Sequence, residues 1–197
     1  GHATPLGLTL GRCTTLLQGI AVGRALVASG TYHRVLVVTA DRVEEESERF
    51  ESFALFSDGA ASCLVVHADA RMNGLAIQAC AEIHEANALK GDISPELAKR
   101  VNAQLLHGQD IELDSIQRLL HTNVYLPICI MKERQAGFTR RQLYTDNIAR
   151  VGHCFAADPI INLVDLACSE HLVAKGHYML AASVPGARVA ILLRKEG

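Results

Sequence analysis

Residues 7–30 constrain this chain more than any other stretch. Apolar side chains stand at Leu16, Leu17, Ile20, Ala21, Ala25, Leu26 and Ala28, the spacing of a largely buried helix, and Ser29-Gly30 supplies its stop. The run Arg34–Asp41 that follows is short, apolar and rich in β-branched residues, which predicts a strand covered on both faces, as in a parallel or central position. The helix also carries Cys13 at its first turn, where unpaired N–H groups and the positive dipole end favour a thiolate and Arg12 adds positive charge. A cysteine so placed is a candidate acyl acceptor, although most reduced cysteines are packing residues.

The rest of the chain reads as mixed α/β. Glu44–Glu51 is acidic and solvated, Asp58-Gly59 punctuates a tight turn, and Cys63–His67 is a second buried strand. Leu75–Ile83 is a third strand after a turn at Asp69–Gly74, with a soft boundary near Asp69–Asn73. Ser94-Pro95 opens a helix to about Leu106, serine as cap and proline at its first position. Asp114 or Ser115 caps a further short helix ahead of Leu119-Leu120, and another helix covers Tyr125–Gln135. Asp158 caps a helix over Pro159–Cys168, and Tyr178–Ser183 and Arg188–Leu193 form a hairpin about Val184-Pro185-Gly186.

Of 197 residues, 49% are hydrophobic and 20% charged, and the formal net charge is -2, with no signature of a nucleic-acid or anionic-membrane partner. No apolar run reaches the ~18 residues of a membrane span. The six cysteines (13, 63, 80, 129, 154 and 168) lack close-paired spacing, which argues against a zinc site or disulfide framework and for a reducing, cytoplasmic setting. No metal or cofactor is expected.

Four local patterns in one order resemble the thiolase superfamily, in particular its ketoacyl-acyl-carrier-protein synthase III branch. In that family a cysteine opens a buried helix that ends in Ser-Gly before a Val-Leu-Val-Val strand, and Cys13 to Val38 matches without a gap. The family's Leu-Phe-Gly-Asp-Gly-Ala-Ala-Ala turn is answered by Leu55-Phe-Ser-Asp-Gly-Ala-Ala-Ser62. Its His-Gln-Ala-Asn stretch is matched by His121-Thr-Asn123, and its Gly-Asn-Thr-Ser-Ala-Ala-Ser-Val-Pro by Gly152-His-Cys-Phe-Ala-Ala-Asp-Pro159.

The resemblance implies a layered αβαβα thiolase fold. Residues 1–70 would be the end of an N-terminal half carrying the nucleophile, and 71–197 a C-terminal half carrying both histidines. Roughly a hundred residues of the N-terminal half would be missing, in a fragment or supplied by a separate chain, since central strands otherwise leave edges and apolar faces in water. It further implies an acyltransferase in which Cys13 takes an acyl group from acyl-CoA or acyl-carrier protein, with His121 and His153 as partners, backbone N–H donors at Cys13 and Gly186 for the oxyanion, and Asn123 and Phe155 near substrate. Family members are usually homodimers.

His153 replaces the family asparagine. Histidine can donate a hydrogen bond to an enolate oxygen, or take a proton from an incoming hydroxyl or amine. Decarboxylative condensation and acyl transfer to oxygen or nitrogen therefore both stay open, beside a non-catalytic subunit that completes a dimer or complex. Asp158 stands where the family has serine and is expected to cap a helix rather than join the catalytic set.

Overall fold

The computed structural model describes residues 3–70, 74–85, 94–169 and 172–197. After a single 3₁₀ turn at Arg12–Thr14, helix α1 spans Thr15–Ala28 and buries Leu16, Leu17, Ile20 and Val27. Strand β1 (Arg34–Asp41) pairs antiparallel with β2 (Gly59–Val66) in a two-stranded sheet. Then come β3 (Leu75–His84), α2 (Pro95–Leu106), β4 (Ile116–Leu120), α3 (Leu126–Gln135), α4 (Asp146–Arg150), α5 (Asp158–Ser169), β5 (His177–Val184) and β6 (Ala187–Lys195). The second sheet has the order β3-β6-β5-β4, with only β4–β5 parallel.

Strand alternation sorts side chains to two cores. Tyr178, Leu180 and Ala182 of β5 and Val189 and Ile191 of β6 meet α1, α5 and the inner face of β1–β2. Met179, Ala181, Ala190 and Leu192 face the opposite way, onto Val101 and Leu105 of α2 and Cys129 of α3. The described layers are thus helices α2 and α3, the four-stranded sheet, helices α1 and α5, and the sheet β1–β2.

Two expectations are corrected. β1 is not covered on both faces: Val35 and Val37 pack inward, but Leu36 and Val38 stand 64% and 65% exposed, and Leu64, opposite Leu36, 44%. No described residue builds a helical layer outside this sheet. Leu119-Leu120 also follows no short helix. Leu113–Ser115 gives one 3₁₀ turn, with Ser115 N–H bonded to Glu112 O, and the chain passes straight into β4. Ser94 caps α2 as expected, its Oγ accepting from Leu97 N–H at 3.2 Å. The boundary expected near Asp69–Asn73 and the turn at Asp69–Gly74 lie partly outside the described residues.

Candidate active site

Cys13 sits in the 3₁₀ turn ahead of α1, half-buried, on a backbone passing through left-handed conformations at Leu10 (φ 69°) and Arg12 (φ 51°). Non-glycine residues there cost on the order of 1 kcal/mol each. Thr14 holds the bend by bonding Gly11 O through its N–H (3.0 Å) and its hydroxyl (2.7 Å). The sulfur is thereby turned to His153, with Sγ 3.3 Å from Nε2.

His153 is placed by the Leu55–Ser57 turn. Its N–H donates to Leu55 O (2.8 Å) and its carbonyl accepts from Ser57 N–H (2.9 Å), so the two segments pair like strands. Two glycines permit this approach: a Cβ at Gly59 would lie 2.4 Å from Cys154 Cβ, and one at Gly152 (φ 81°) 2.7 Å from Leu55 O. Phe56 and Phe155 flank the imidazole with ring centroids 5.3 and 5.6 Å away, and Phe155 itself has φ 52°.

On the far side of the ring, Nδ1 donates to Asp158 Oδ2 at 2.5 Å. Asp158 is fully buried and also accepts from Asn123 N–H and Cys154 N–H, each at 2.7 Å. It is expected to cap α5, but its carboxylate turns back to receive donors from outside that helix, on His153, Asn123 and Cys154. Burial alone pulls the imidazole down. The hydrogen bonds to Asp158 and Cys13 and their charges outweigh it and push His153 up to about 9. At neutral pH the ring is therefore an imidazolium between a carboxylate and a sulfur. Asp158 was legible in principle, since a base at 153 needs an orienting acceptor and this aspartate replaces the family serine where histidine replaces asparagine.

Among the described residues, no hydrogen bond joins His121 to Cys13. Its Nδ1 faces Thr122 O at 2.7 Å and its Nε2 faces Cys129 Sγ at 3.2 Å. A carbonyl only accepts, so Nδ1 carries the proton and Nε2 accepts from the Cys129 thiol. Burial holds His121 below the ordinary histidine value, hence neutral, and pushes the Cys129 thiol up to about 12. Beneath this pair lies a buried charge cluster. Arg188 grips Glu133 bidentately at 2.9 and 3.0 Å, and Lys132 Nζ adds a bond at 3.0 Å. Burial pushes Glu133 upward, but Arg188 and then Lys132 more than offset it and hold the carboxyl well below the usual range.

Asn123, expected to meet substrate, has its amide bonded inside the protein: Nδ2 donates to Gly152 O (2.9 Å) and Oδ1 accepts from Asn162 (2.9 Å). Gly186 (φ 75°) lies in the β5–β6 turn, its carbonyl accepting from Glu85 N–H at 2.7 Å, and no hydrogen bond ties it to Cys13. Among the described residues no three His, Cys, Asp or Glu side chains converge to hold a metal ion, and no helix is long and apolar enough to cross a membrane.

Residues 9–81 match the family model of 3-oxoacyl-[acyl-carrier-protein] synthase III. The beta-ketoacyl-[acyl-carrier-protein] synthase III of Chlamydia caviae is 40% identical over 55 residues, 27% of this chain and 16% of that protein. Likeness of architecture runs much further. The 3-oxoacyl-(acyl carrier protein) synthase III of Pseudomonas aeruginosa superposes with a TM-score of 0.77 at 16% identity, over 94% of this chain and 65% of that one. The acyltransferase ChlB3 does so with a TM-score of 0.81 at 15% identity, over 94% and 66%. The chain thus spans about two thirds of these solved structures and aligns with about a sixth of the curated relative. The local sequence match falls on the stretch that carries Cys13, and nearly the whole chain shares the layered α/β fold of these solved structures, a thiolase-like fold.

Proposed function

We propose that this chain carries the reactive centre of an acyltransferase, in which Cys13 is acylated by an acyl-CoA or acyl-carrier-protein thioester and passes the acyl group to a hydroxyl or amine. The observation that carries the reading is the relay from Cys13 Sγ through His153 to Asp158, at 3.3 and 2.5 Å. The Cys13 thiolate attacks the thioester carbonyl carbon, and as the tetrahedral adduct collapses the imidazolium of His153 gives its proton to the departing thiol. His153 is left neutral against an acyl-cysteine. Two of the influences that raise its basicity, the bond to Cys13 and the charge there, vanish on acylation. Burial then weighs more, and the ring becomes a ready base. It takes the acceptor's proton, the oxygen or nitrogen attacks the acyl carbon, and the thiolate leaves beside a restored imidazolium. The Cys13 backbone N–H would receive the oxyanion, as in other acyl transfers.

Transfer to oxygen or nitrogen is favoured over decarboxylative condensation by the second histidine. Condensation calls for two donors on the enolate oxygen, and His121 has its only N–H on Thr122 O. A second reading, a subunit that completes a larger assembly without acyl chemistry, draws on the bare outer face of β1–β2. Incubation with acetyl-CoA followed by intact-mass measurement decides between them. Acyl transfer gives an adduct that Cys13→Ala abolishes and His153→Gln strongly slows; no adduct on the wild-type chain overturns the first reading.

A further inference from the structure

Asp158 and Asn162 stand four residues apart on α5 and so share one face of that helix. Both are fully buried. Asp158 receives the base, whereas among the described residues no hydrogen bond joins Asn162 to His153 or Cys13. Its Nδ2 donates to His121 O at 2.8 Å and to Asn123 Oδ1 at 2.9 Å, and its Oδ1 accepts from Asn147 Nδ2 at 2.9 Å. A carbonyl at His121 admits only a donor, which fixes the amide's orientation.

These three bonds clamp the two segments that build the surroundings of Asp158. One is 121–123, whose Asn123 N–H is 2.7 Å from Asp158 Oδ2, the same oxygen that accepts from His153 Nδ1. The other is the turn after Asn147, whose carbonyl accepts from Val151 N–H (2.9 Å) and Gly152 N–H (3.0 Å) immediately before His153. The two are also tied directly, Asn123 Nδ2 to Gly152 O. Asp158, one turn earlier on α5, bonds to Asn123 in the first segment and to His153 and Cys154 just beyond the second, so the two side chains bridge the same pair of strands of chain.

We infer that Asn162 is a positioning residue for the Asp158–His153 pair, holding the donor segment and the base segment at the separation that keeps the carboxylate on Nδ1. It rests on the acyltransferase reading only for its effect on rate; its effect on the base is independent of any substrate. Satisfied buried networks of this kind set the geometry of the groups they join, and a misplaced carboxylate loses its hold on the imidazole.

The test compares the wild-type chain with Asn162→Leu, which has a similar branched outline but makes no hydrogen bond, and Asn162→Ser, which keeps one hydroxyl donor. Histidine rings are ¹⁵N-labelled, the His153 resonance is assigned by its loss in His153→Gln, and its titration midpoint is read by NMR in chains shown by circular dichroism to be folded. The expected result is a fall in the midpoint of about one pH unit in Asn162→Leu and a smaller fall in Asn162→Ser. Loading of Cys13 by acetyl-CoA is expected to slow about tenfold with its KM unchanged. A folded variant with the wild-type midpoint overturns the assignment, and so does failure of both variants to fold, which would make Asn162 a residue of the fold alone. Absence of acyl loading in the wild type, by contrast, sinks the acyltransferase reading and leaves the midpoint comparison intact.

Discussion

Replacing Asp158 by asparagine removes the charge that faces His153 while keeping the shape of the side chain. In the native protein the imidazole is raised from its ordinary 6.5 to about 9, a displacement worth about 3 kcal/mol at about 1.4 kcal/mol per pH unit. A folded value above the ordinary one means that the protonated ring stabilises the fold. That contribution is whole below about pH 6.5 and is lost as the pH climbs through about 9. In Asp158→Asn the hydrogen bond and charge that most support the imidazolium are gone, and burial drives the ring toward neutrality. The amide's NH2 also faces a backbone donor, Asn123 N–H if it takes the place of Oδ2 or Cys154 N–H if it takes the place of Oδ1, at a cost of about 1–3 kcal/mol regardless of pH. The stability gap between wild type and variant should therefore be about 2–3 kcal/mol wider at pH 6 than at pH 10. Urea unfolding followed by far-ultraviolet circular dichroism measures it, since the chain has no tryptophan for fluorescence. A gap of equal size at both pH values would refute the view that Asp158 holds His153 charged.

Three further substitutions probe the packing at Gly59 and the buried charges around Glu133. Gly59→Ala drives a Cβ to within 2.4 Å of Cys154 Cβ, so it should cost about 1–3 kcal/mol in a thermal melt and slow alkylation of Cys13 by iodoacetamide as the neighbouring His153 shifts. Glu133→Gln leaves both Arg188 and Lys132 buried without a counter-charge and should lose about 3–5 kcal/mol, whereas Arg188→Met leaves Glu133 still paired with Lys132 and should lose less; urea midpoints rank them. Because the Glu133 carboxyl is held below its ordinary value, its share of stability is present above about pH 4.5 and disappears as the pH falls below that, in the wild type only.

Much of the scaffold is readable in the amino-acid order because its signals are local. The helical spacing of Leu16, Leu17 and Ile20, the Ser94-Pro95 start and the Pro185-Gly186 turn each settle an element without reference to anything distant. The outer face of β1 is not readable in this way: a β-branched run looks the same whether Leu36 and Val38 meet a helix or water. Asp114 and Ser115 cap no helix: they lie inside one 3₁₀ turn, Leu113–Ser115, because Ile116–Leu120 had a parallel partner waiting in β5. The site divides likewise. Cys13 and His153 are found through a family pattern, but Asp158 beside Pro159 looks like any helix cap until the donors at Asn123 and Cys154, which are brought in by tertiary packing, turn its carboxylate round. The pairing of His121 with Cys129 depends on how α3 docks on the sheet, which no pattern along the chain reveals.

The sulfur and the imidazole that touch at 3.3 Å are 140 residues apart along the polypeptide. Neither end of the chain can assemble this pair by itself, and closing so wide a loop is among the slowest steps open to a folding domain. The contact between this thiol and His153 should thus be the last feature acquired on refolding and the first surrendered on denaturation, so that its formation serves as a clock for the completed topology.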